Sequence, residues 1–264
     1  MSPAHHTWDP ERYLTYADER GRPFVELVTR VAAMAPTTVV DLGCGPGNLT
    51  RLLVERWPGA RVQGLDSSPA MIDAARRDPA AAEIAFSVAD LRDWHPTRPV
   101  DILVSNATLQ WVDGHLDLLP RLVGAVAPGG WFAFQVPGNF TEPSHELRRE
   151  LAAEAPYADF TGALATPSSH DPATYLRVLE GLGCEVDAWE TTYLHVLSAA
   201  VDPDPVFTWV SATGARPTLE ALPPELRERF STEFKERLRV AYPAVDGRVV
   251  LSFRRVFAVA RVAK

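Results

Sequence analysis

The chain has 264 residues, of which 46% are hydrophobic and 23% are charged, a composition typical of folded globular proteins. Its 34 acidic residues outnumber the 26 Lys and Arg residues, which gives a net charge of −8. A chain this acidic lacks the basic surface that nucleic-acid binding requires, so we expect no nucleic-acid partner. The two cysteines, Cys44 and Cys184, are too few for a disulfide framework or a four-cysteine zinc site.

The N-terminal residues and the apolar stretches favour a cytoplasmic protein. The first six residues lack the charged-then-apolar run of a secretory signal. The longest uncharged stretch, residues 122–141, contains Pro128-Gly129-Gly130, which would break a membrane-spanning helix. We therefore expect no membrane association. Because past His5 and His6 the sequence has no His-x-x-x-His pair and no cluster of Asp, Glu and His with ligand spacing, we expect no metal site. We also expect no obligate protein partner.

Strand-like and helix-like patterns alternate over the first half of the chain. Short apolar or β-branched runs predict strands over residues 38–42, 61–66, 84–88, 100–104 and 131–136. Ser68 followed by Pro69 predicts the start of a helix, and a helical stripe over residues 116–126 ends before Pro128. This alternation predicts a parallel sheet with helices on both faces.

Past residue 137 the alternation loosens. Residues 172–182 read as a helix, 185–196 as a long strand, 202–242 as helical segments broken by prolines, and 249–262 as a closing strand. We interpret these segments as the completion of the same sheet, with helical insertions that form a cap. Because no linker divides the chain, we expect one domain over residues 1–264.

The strongest motif, D-L-G-C-G-P-G, joins the first strand to the following helix. Gly43, Gly45 and Gly47 allow the backbone to pass close to a ligand and to adopt positive φ angles. The third glycine comes one residue earlier than in a dinucleotide-binding fingerprint. Asp41 would repel a pyrophosphate but suits an amino group. The alternative is a structural turn that binds nothing.

Carboxylates end the next two predicted strands. Asp66 is placed to accept both ribose hydroxyls of a nucleoside, unless it caps the following helix instead. Asp90, beside the backbone N–H of Leu91, has the groups to read an adenine amino group and ring nitrogen, with a simple helix cap as the alternative. The three strand ends together describe an adenosine that carries an amino acid, which indicates S-adenosylmethionine.

These motifs resemble those of the class I S-adenosylmethionine-dependent methyltransferases. Further segments resemble the trans-aconitate 2-methyltransferases, namely residues 8–13, 19–23, 105–111, 183–187, 191–195 and 212–217. The resemblance covers nearly the whole chain, and residues 143–170 match only loosely. It implies an O-methyltransferase that forms a methyl ester on a carboxylate of trans-aconitate. It also implies a Rossmann-like class I methyltransferase fold of the α/β class, with a mostly parallel seven-stranded sheet, an antiparallel last strand and a helical cap.

The resemblance divides the expected single domain into three parts: an N-terminal lid at 1–30, a cofactor-binding core near 37–137, and cap insertions near 138–170 and 200–245. The cofactor-binding residues expected from the motifs and the resemblance are Arg22, Asp41, Gly43, Gly45, Gly47, Asp66, Ser67, Asp90, Leu91 and Asn106. The expected substrate-binding residues are Gln110, Trp111, Tyr193, His195, Arg216 and Arg255.

The loop after the fourth strand is expected to face the reacting methyl group. Gln110 and Trp111 would line the sulfonium and the acceptor, and Trp111 offers a π face to a cation. Core packing is the alternative for Trp111. Arg22 in the lid would meet the methionyl carboxylate, with a solvated amphipathic helix as the alternative.

A tricarboxylate acceptor needs local cations, and the candidates are Arg216, Arg254, Arg255 and His195. Phe253, Arg255 and Phe257 share one face of the last strand by their spacing of two. We expect Arg255 to clamp a carboxylate that is not methylated, assisted by Arg216 on a rigid turn. An ion pair between Arg255 and a local acid is the alternative.

The expected mechanism needs no general base. A carboxylate with a pKa of about 4 is already ionised at pH 7, so its oxygen attacks without losing a proton. Three alternatives remain at this point: a different small-molecule acid as acceptor, a catalytically silent S-adenosylmethionine-binding protein, and a dinucleotide-dependent oxidoreductase. The glycine spacing and Asp41 argue against the last of these.

Overall fold

The fold is described from a computed structural model that covers residues 17–264, with side chains from residue 21 onward. The expectations for residues 1–16, including the first half of the lid, lie outside this range. The helices are α1 (Ala17–Thr29), α2 (Arg51–Arg56), α3 (Pro69–Arg77), α4 (Leu119–Gly124), α5 (Pro143–Ala152), α6 (Ala158–Thr161), α7 (Pro172–Gly181), α8 (Pro205–Ser211), α9 (Arg216–Ala221) and α10 (Pro224–Ala241). The strands are β1 (Thr38–Leu42), β2 (Arg61–Asp66), β3 (Ala85–Val88), β4 (Val100–Asn106), β5 (Val126–Pro137), β6 (Cys184–Ser198) and β7 (Arg248–Val262).

The seven strands form one sheet in the order β3-β2-β1-β4-β5-β7-β6. Strands β1 to β5 pair with their neighbours in parallel, and β7 runs antiparallel to β5. The chain order reverses between β1 and β4, which is the point where open α/β sheets bind ligands beyond the carboxyl ends of their strands. This topology confirms the predicted α/β fold, including the antiparallel last strand.

The described chain separates into two compact units. The first contains the described residues up to Gly138 together with Ser168–Thr191 and Arg255–Lys264, and the second contains Asn139–Pro167 and Thr192–Arg254. The single domain with a lid, a core and two cap insertions stays a prediction.

In the first unit, both faces of the sheet are covered. Val40, Leu103 and Phe134 belong to a core cluster on one face, where α4 and α7 contribute further apolar side chains. On the other face α1 packs against β5, and its Phe24 and Leu27 are almost fully buried. Asp41, Asn106 and Gln135 lie near the carboxyl ends of β1, β4 and β5, and strand alternation places their side chains on the face opposite that core cluster.

Two local predictions are wrong. The helix predicted over residues 116–126 ends at Gly124, and Val126 already pairs with Val100 as the first residue of β5. The Pro128-Gly129-Gly130 sequence therefore lies inside a strand, where a register shift opposite residues 100–102 accommodates Gly129 at a φ of 78°. Arg216 does not lie on a turn but is the first residue of α9, because Pro217 is favoured in the first turn of a helix.

Candidate cofactor and acceptor site

The glycine loop between β1 and α2 adopts the conformation that its sequence predicts. Gly43, Gly45 and Gly47 have φ angles of 78°, 55° and 77°. A Cβ atom at Gly43 would collide with the side chain of Thr108, and one at Gly47 would lie 2.7 Å from the ring of Phe86. The loop therefore needs glycine for both its backbone angles and its close packing.

Asp41 lies beneath this loop and is only 2% exposed. Its Oδ2 accepts a hydrogen bond of 2.7 Å from Thr50 Oγ1. Burial raises the pKa of Asp41 from 3.8 to about 7, the Thr50 hydrogen bond opposes that rise, and the charge of Asp66 adds to it. Asp41 consequently changes its charge near neutral pH, and a nearby ammonium group would favour the ionised form.

Asp66 ends β2 and connects the loop to the sheet. Its Oδ2 accepts a 2.9 Å hydrogen bond from the Gly45 N–H, and its Oδ1 accepts one of 2.8 Å from the Ser68 N–H. Burial raises the pKa of Asp66, and these two hydrogen bonds partly offset the rise. Ser68, rather than Asp66, caps α3 by accepting from Met71 N–H. Each carboxylate oxygen of Asp66 retains a second lone pair for a ligand hydroxyl.

Asp90 follows β3 and makes an ion pair that its spacing did not predict. Arg92 donates from its Nε to both carboxylate oxygens at 3.0 Å and also donates its backbone N–H to Asp90 Oδ1 at 2.8 Å. The side chain of Arg92 is half exposed. Leu91, the next residue, is buried, and its carbonyl accepts a hydrogen bond from the Arg121 side chain. Ser67, which directly follows β2, is exposed. The role of Asp90 toward an adenine stays a prediction.

The loop after β4 presents buried amide groups. Gln110 is 4% exposed and donates from Nε2 to the Ala107 carbonyl at 2.6 Å, which identifies its Oε1 as an acceptor. That Oε1 and the Oδ1 of Asn106 are buried and have no hydrogen-bond partner among the described residues. Ala107 is held at a φ of 52°, in the left-handed region that costs a non-glycine residue energy. Trp111 is half-buried in the same loop.

Gln135 on β5 is a polar residue in the middle of an apolar strand. It is fully buried, and in the part of the chain that the structure describes neither its Oε1 nor its Nε2 has a hydrogen-bond partner. Its register partners are Asn106 on β4 and Phe257 on β7, so all three side chains lie on the same face of the sheet.

Arg255 lies on that face as well, opposite Pro137 at the start of the β7 segment that belongs to the first unit. It is 7% exposed. Arg22 lies on α1 with an exposed side chain. The first unit thus contains all the expected cofactor-binding residues together with Gln110, Trp111 and Arg255.

The remaining expected substrate-binding residues belong to the second unit. Tyr193 and His195 are buried, and the His195 ring packs against Trp209 with ring centroids 4.5 Å apart. Arg216 donates from its Nε to Glu220 Oε1 at 2.6 Å. The roles of these three residues toward a substrate stay predictions.

Sequence reasoning missed several residues of the site. Thr50 lies nine residues after Asp41, in the turn before α2, and no sequence signal links it to Asp41. No spacing rule predicts the ion pair of Arg92 with Asp90. Gln135 had a usable signal, because it is the one polar residue in the run Trp131–Val136 of a predicted buried strand.

Among the described residues, no group of three His, Cys, Asp or Glu side chains could hold a metal ion. Within the same residues, no helix has the length and apolarity to cross a membrane.

A family model described as a methyltransferase domain matches residues 39–130, which contain β1 except its first residue, β2 to β4, the glycine loop, Asp66 and Asp90. A solved structure of phosphoethanolamine N-methyltransferase 2 from Haemonchus contortus, in complex with S-adenosyl-L-methionine, is similar with a TM-score of 0.53. The match has 16% sequence identity and covers 92% of this chain and 53% of that chain. At this identity the match supports the α/β fold described above and nothing beyond it.

Curated relatives are similar over nearly the full length. A trans-aconitate 2-methyltransferase of Streptomyces avermitilis is 51% identical, with 98% of each chain covered. A trans-aconitate 2-methyltransferase of Streptomyces coelicolor is 47% identical, with 97% of this chain and 86% of the relative covered. Identity at this level over this length is far beyond what a shared fold alone produces, and the chain belongs to the trans-aconitate 2-methyltransferase family.

Proposed function

We propose that the protein is an S-adenosylmethionine-dependent O-methyltransferase that forms a methyl ester on a carboxylate of trans-aconitate. The observation that carries this proposal is the similarity to relatives of that name over 98% of the chain. It also rests on the arrangement of the first unit, where the glycine loop and the polar ends of β1, β2 and β4 meet at the edge that binds ligands in sheets of this kind.

The groups around the glycine loop fit this cofactor. Glycine at position 45, where a Cβ atom would meet no atom within 4 Å, leaves space beside the loop for a ligand. Asp41 supplies a carboxylate for the amino group, Asp66 supplies two acceptors for the ribose hydroxyls, and the buried Oδ1 of Asn106 needs a donor. A pyrophosphate would instead meet the negative charges of Asp41 and Asp66.

When bound, S-adenosylmethionine supplies a methyl group on a positively charged sulfur, which keeps the carbon–sulfur electron pair when the methyl leaves. The acceptor carboxylate is ionised at pH 7, so we assign no general base to the chain. The task of the residues is then to orient the acceptor and to exclude water, which together supply roughly 7–11 kcal/mol in well-oriented reactions.

Arg255 is the residue to which we assign a carboxylate that is not methylated. It is 7% exposed and lies two positions from Phe257, whose ring stacks on Trp189 with centroids 4.8 Å apart. A planar guanidinium holds a carboxylate by two parallel hydrogen bonds, and aromatic neighbours that exclude water strengthen the pair. We further propose a cytoplasmic location, a small-molecule acid as the partner, and no nucleic-acid or obligate protein partner.

The test is a methyl-transfer assay with purified protein across a panel of di- and tricarboxylic acids, with S-adenosylhomocysteine formation as the readout. We expect trans-aconitate to have the highest kcat/KM. A panel in which another acid is preferred by tenfold or more would refute the substrate assignment and keep the reaction class. Binding of S-adenosylhomocysteine without turnover of any acid would instead indicate a catalytically silent protein.

A further inference from the structure

We infer that Gln135 binds the carboxylate of the acceptor that becomes methylated, an inference that rests on the proposed function. Gln135 is fully buried, yet neither its Oε1 nor its Nε2 has a hydrogen-bond partner among residues 17–264. A buried polar group without a partner is expensive, and native structures keep few of them. A ligand that enters the site and pairs with the amide accounts for the retention of this group.

The position of Gln135 in the sheet favours contact with the acceptor rather than with the cofactor. It lies on β5, one strand beyond the β4 residue Asn106 and two strands beyond β1, where the glycine loop begins. Its same-face neighbours are Asn106 on one side and Phe257 on the other. Arg255 lies two residues before Phe257 on the same face of β7, diagonal to Gln135, and such diagonal neighbours are about 7–8 Å apart, with their Cβ atoms somewhat closer. That arrangement suits two carboxylates of one small acid.

The backbone carbonyl of Gln135 is held by the loop that follows β4. It accepts a 2.8 Å hydrogen bond from the Ala107 N–H, and the Ala107 carbonyl in turn accepts from Gln110 Nε2. The loop residue Ala107 keeps its positive φ angle within this network. The backbone carbonyl of Gln135 is thus paired with the loop, and its side-chain amide remains available to a ligand.

A neutral amide is the suitable partner for the reacting carboxylate. The attacking group loses its negative charge in the transition state, so a cation paired with it would stabilise the ground state more than the transition state. An amide N–H orients the carboxylate with a weaker preference for the charged state. The cation Arg255 is then left for a carboxylate whose charge does not change.

The test is Gln135→Met, which keeps the side-chain length and removes both polar atoms. Without ligands, we expect the unfolding temperature to rise by about 2–4 °C, because an unsatisfied buried amide is removed. We expect KM for trans-aconitate to rise by about 10- to 100-fold with kcat within twofold, since a neutral amide binds the acceptor about equally in the ground state and in the transition state. The affinity for S-adenosylhomocysteine should stay within threefold.

Two matched variants serve as controls. Ser105→Ala removes a buried hydroxyl on β4 that does have a partner, the Leu42 carbonyl at 2.9 Å, and should lower the unfolding temperature. Gln63→Met makes the same substitution on β2, away from the carboxyl ends of the strands, and should leave KM unchanged.

A lower unfolding temperature for Gln135→Met, a fall in kcat at unchanged KM, or a loss of S-adenosylhomocysteine affinity greater than threefold would overturn the inference. If the parent methylates another acid in the panel, the proposed substrate is wrong, and the same comparison is made with that acid. If the parent methylates none, the proposed function fails. The inference then fails separately if no acid, added with S-adenosylhomocysteine, raises the unfolding temperature of the parent more than that of Gln135→Met.

Discussion

Asp41 should make the stability of the folded protein fall as the pH rises toward neutral. Its carboxyl is fully buried, and its pKa is raised from 3.8 to about 7, chiefly by that burial. Between these two values the folded state binds a proton that the unfolded state has released, so the free energy of unfolding decreases with increasing pH. The stabilisation is complete below pH 3.8 and is lost as the pH rises through about 7.

The magnitude follows from the two pKa values. At 1.36 kcal/mol per pH unit, the difference between 3.8 and about 7 corresponds to about 4 kcal/mol in total. Between pH 5 and pH 8 the expected part is about 3 kcal/mol. Asp41→Asn removes the titration while it retains an oxygen that can accept from Thr50. The parent curve should therefore fall relative to the variant curve by about 3 kcal/mol over this range.

The assay is urea-induced unfolding of the parent and of Asp41→Asn at several pH values from 5 to 8. The amide introduces a hydrogen-bond donor of its own, which adds a constant offset, so the informative quantity is the change of the difference with pH. The exposed variant Asp73→Asn is the control and should run parallel to the parent. If the difference between the parent and Asp41→Asn stays constant from pH 5 to pH 8, the account of Asp41 is refuted.

Three further predictions concern the cofactor, the reaction and the substrate. Asp66→Ala should lower the affinity for S-adenosylhomocysteine, measured by calorimetry, by at least tenfold. Hydrogen bonds to a charged acceptor contribute about 1.5–3 kcal/mol each, and the contact with Gly45 is lost too. An affinity within threefold of the parent would disprove the ribose assignment. The methyl-transfer rate constant under single turnover should be flat between about pH 6.5 and 8.5, and a fall of one decade per pH unit toward acid would reveal an obligatory base, with His195 the first residue to test. Arg255→Lys and, separately, Arg216→Lys should each lower kcat/KM for trans-aconitate by an amount equivalent to about 2–5 kcal/mol, and kcat/KM for a monocarboxylate analogue should change little. Equal losses of kcat/KM on both acids would instead assign these residues a structural role.

The parts of the fold that follow from local pattern were predictable from sequence. Strands β1 and β2 have the predicted bounds because each is a short apolar run ended by a loop signal, and Ser68 caps α3 as its position before Pro69 indicates. The start of β5 was not predictable in this way. Val126 fits the helical spacing of the preceding stripe, and only its pairing with Val100 assigns it to the sheet.

In the candidate site, too, the features that follow from local pattern were predictable and those that depend on distant contacts were not. Strand ends and glycines can be located from sequence, so the positions of Asp41, Gly43 and Asp66 in β1, the glycine loop and β2 were predictable. Their energetics depend on contacts between segments that are distant or irregular: the Thr50 hydrogen bond of Asp41 and the Gly45 contact of Asp66. A pKa near 7 for Asp41 results from such burial, and no spacing rule contains it.

The central claim, carboxyl methylation of trans-aconitate, is tested most directly by competition among acceptors. The purified protein is incubated with S-adenosylmethionine that carries a deuterated methyl group and with an equimolar mixture of trans-aconitate and other di- and tricarboxylic acids, and mass spectrometry then locates the label. The account predicts that trans-aconitate carries most of the label as one methyl ester, with one S-adenosylhomocysteine formed per ester. Label on a different acid, or on none while S-adenosylhomocysteine binds, would contradict it.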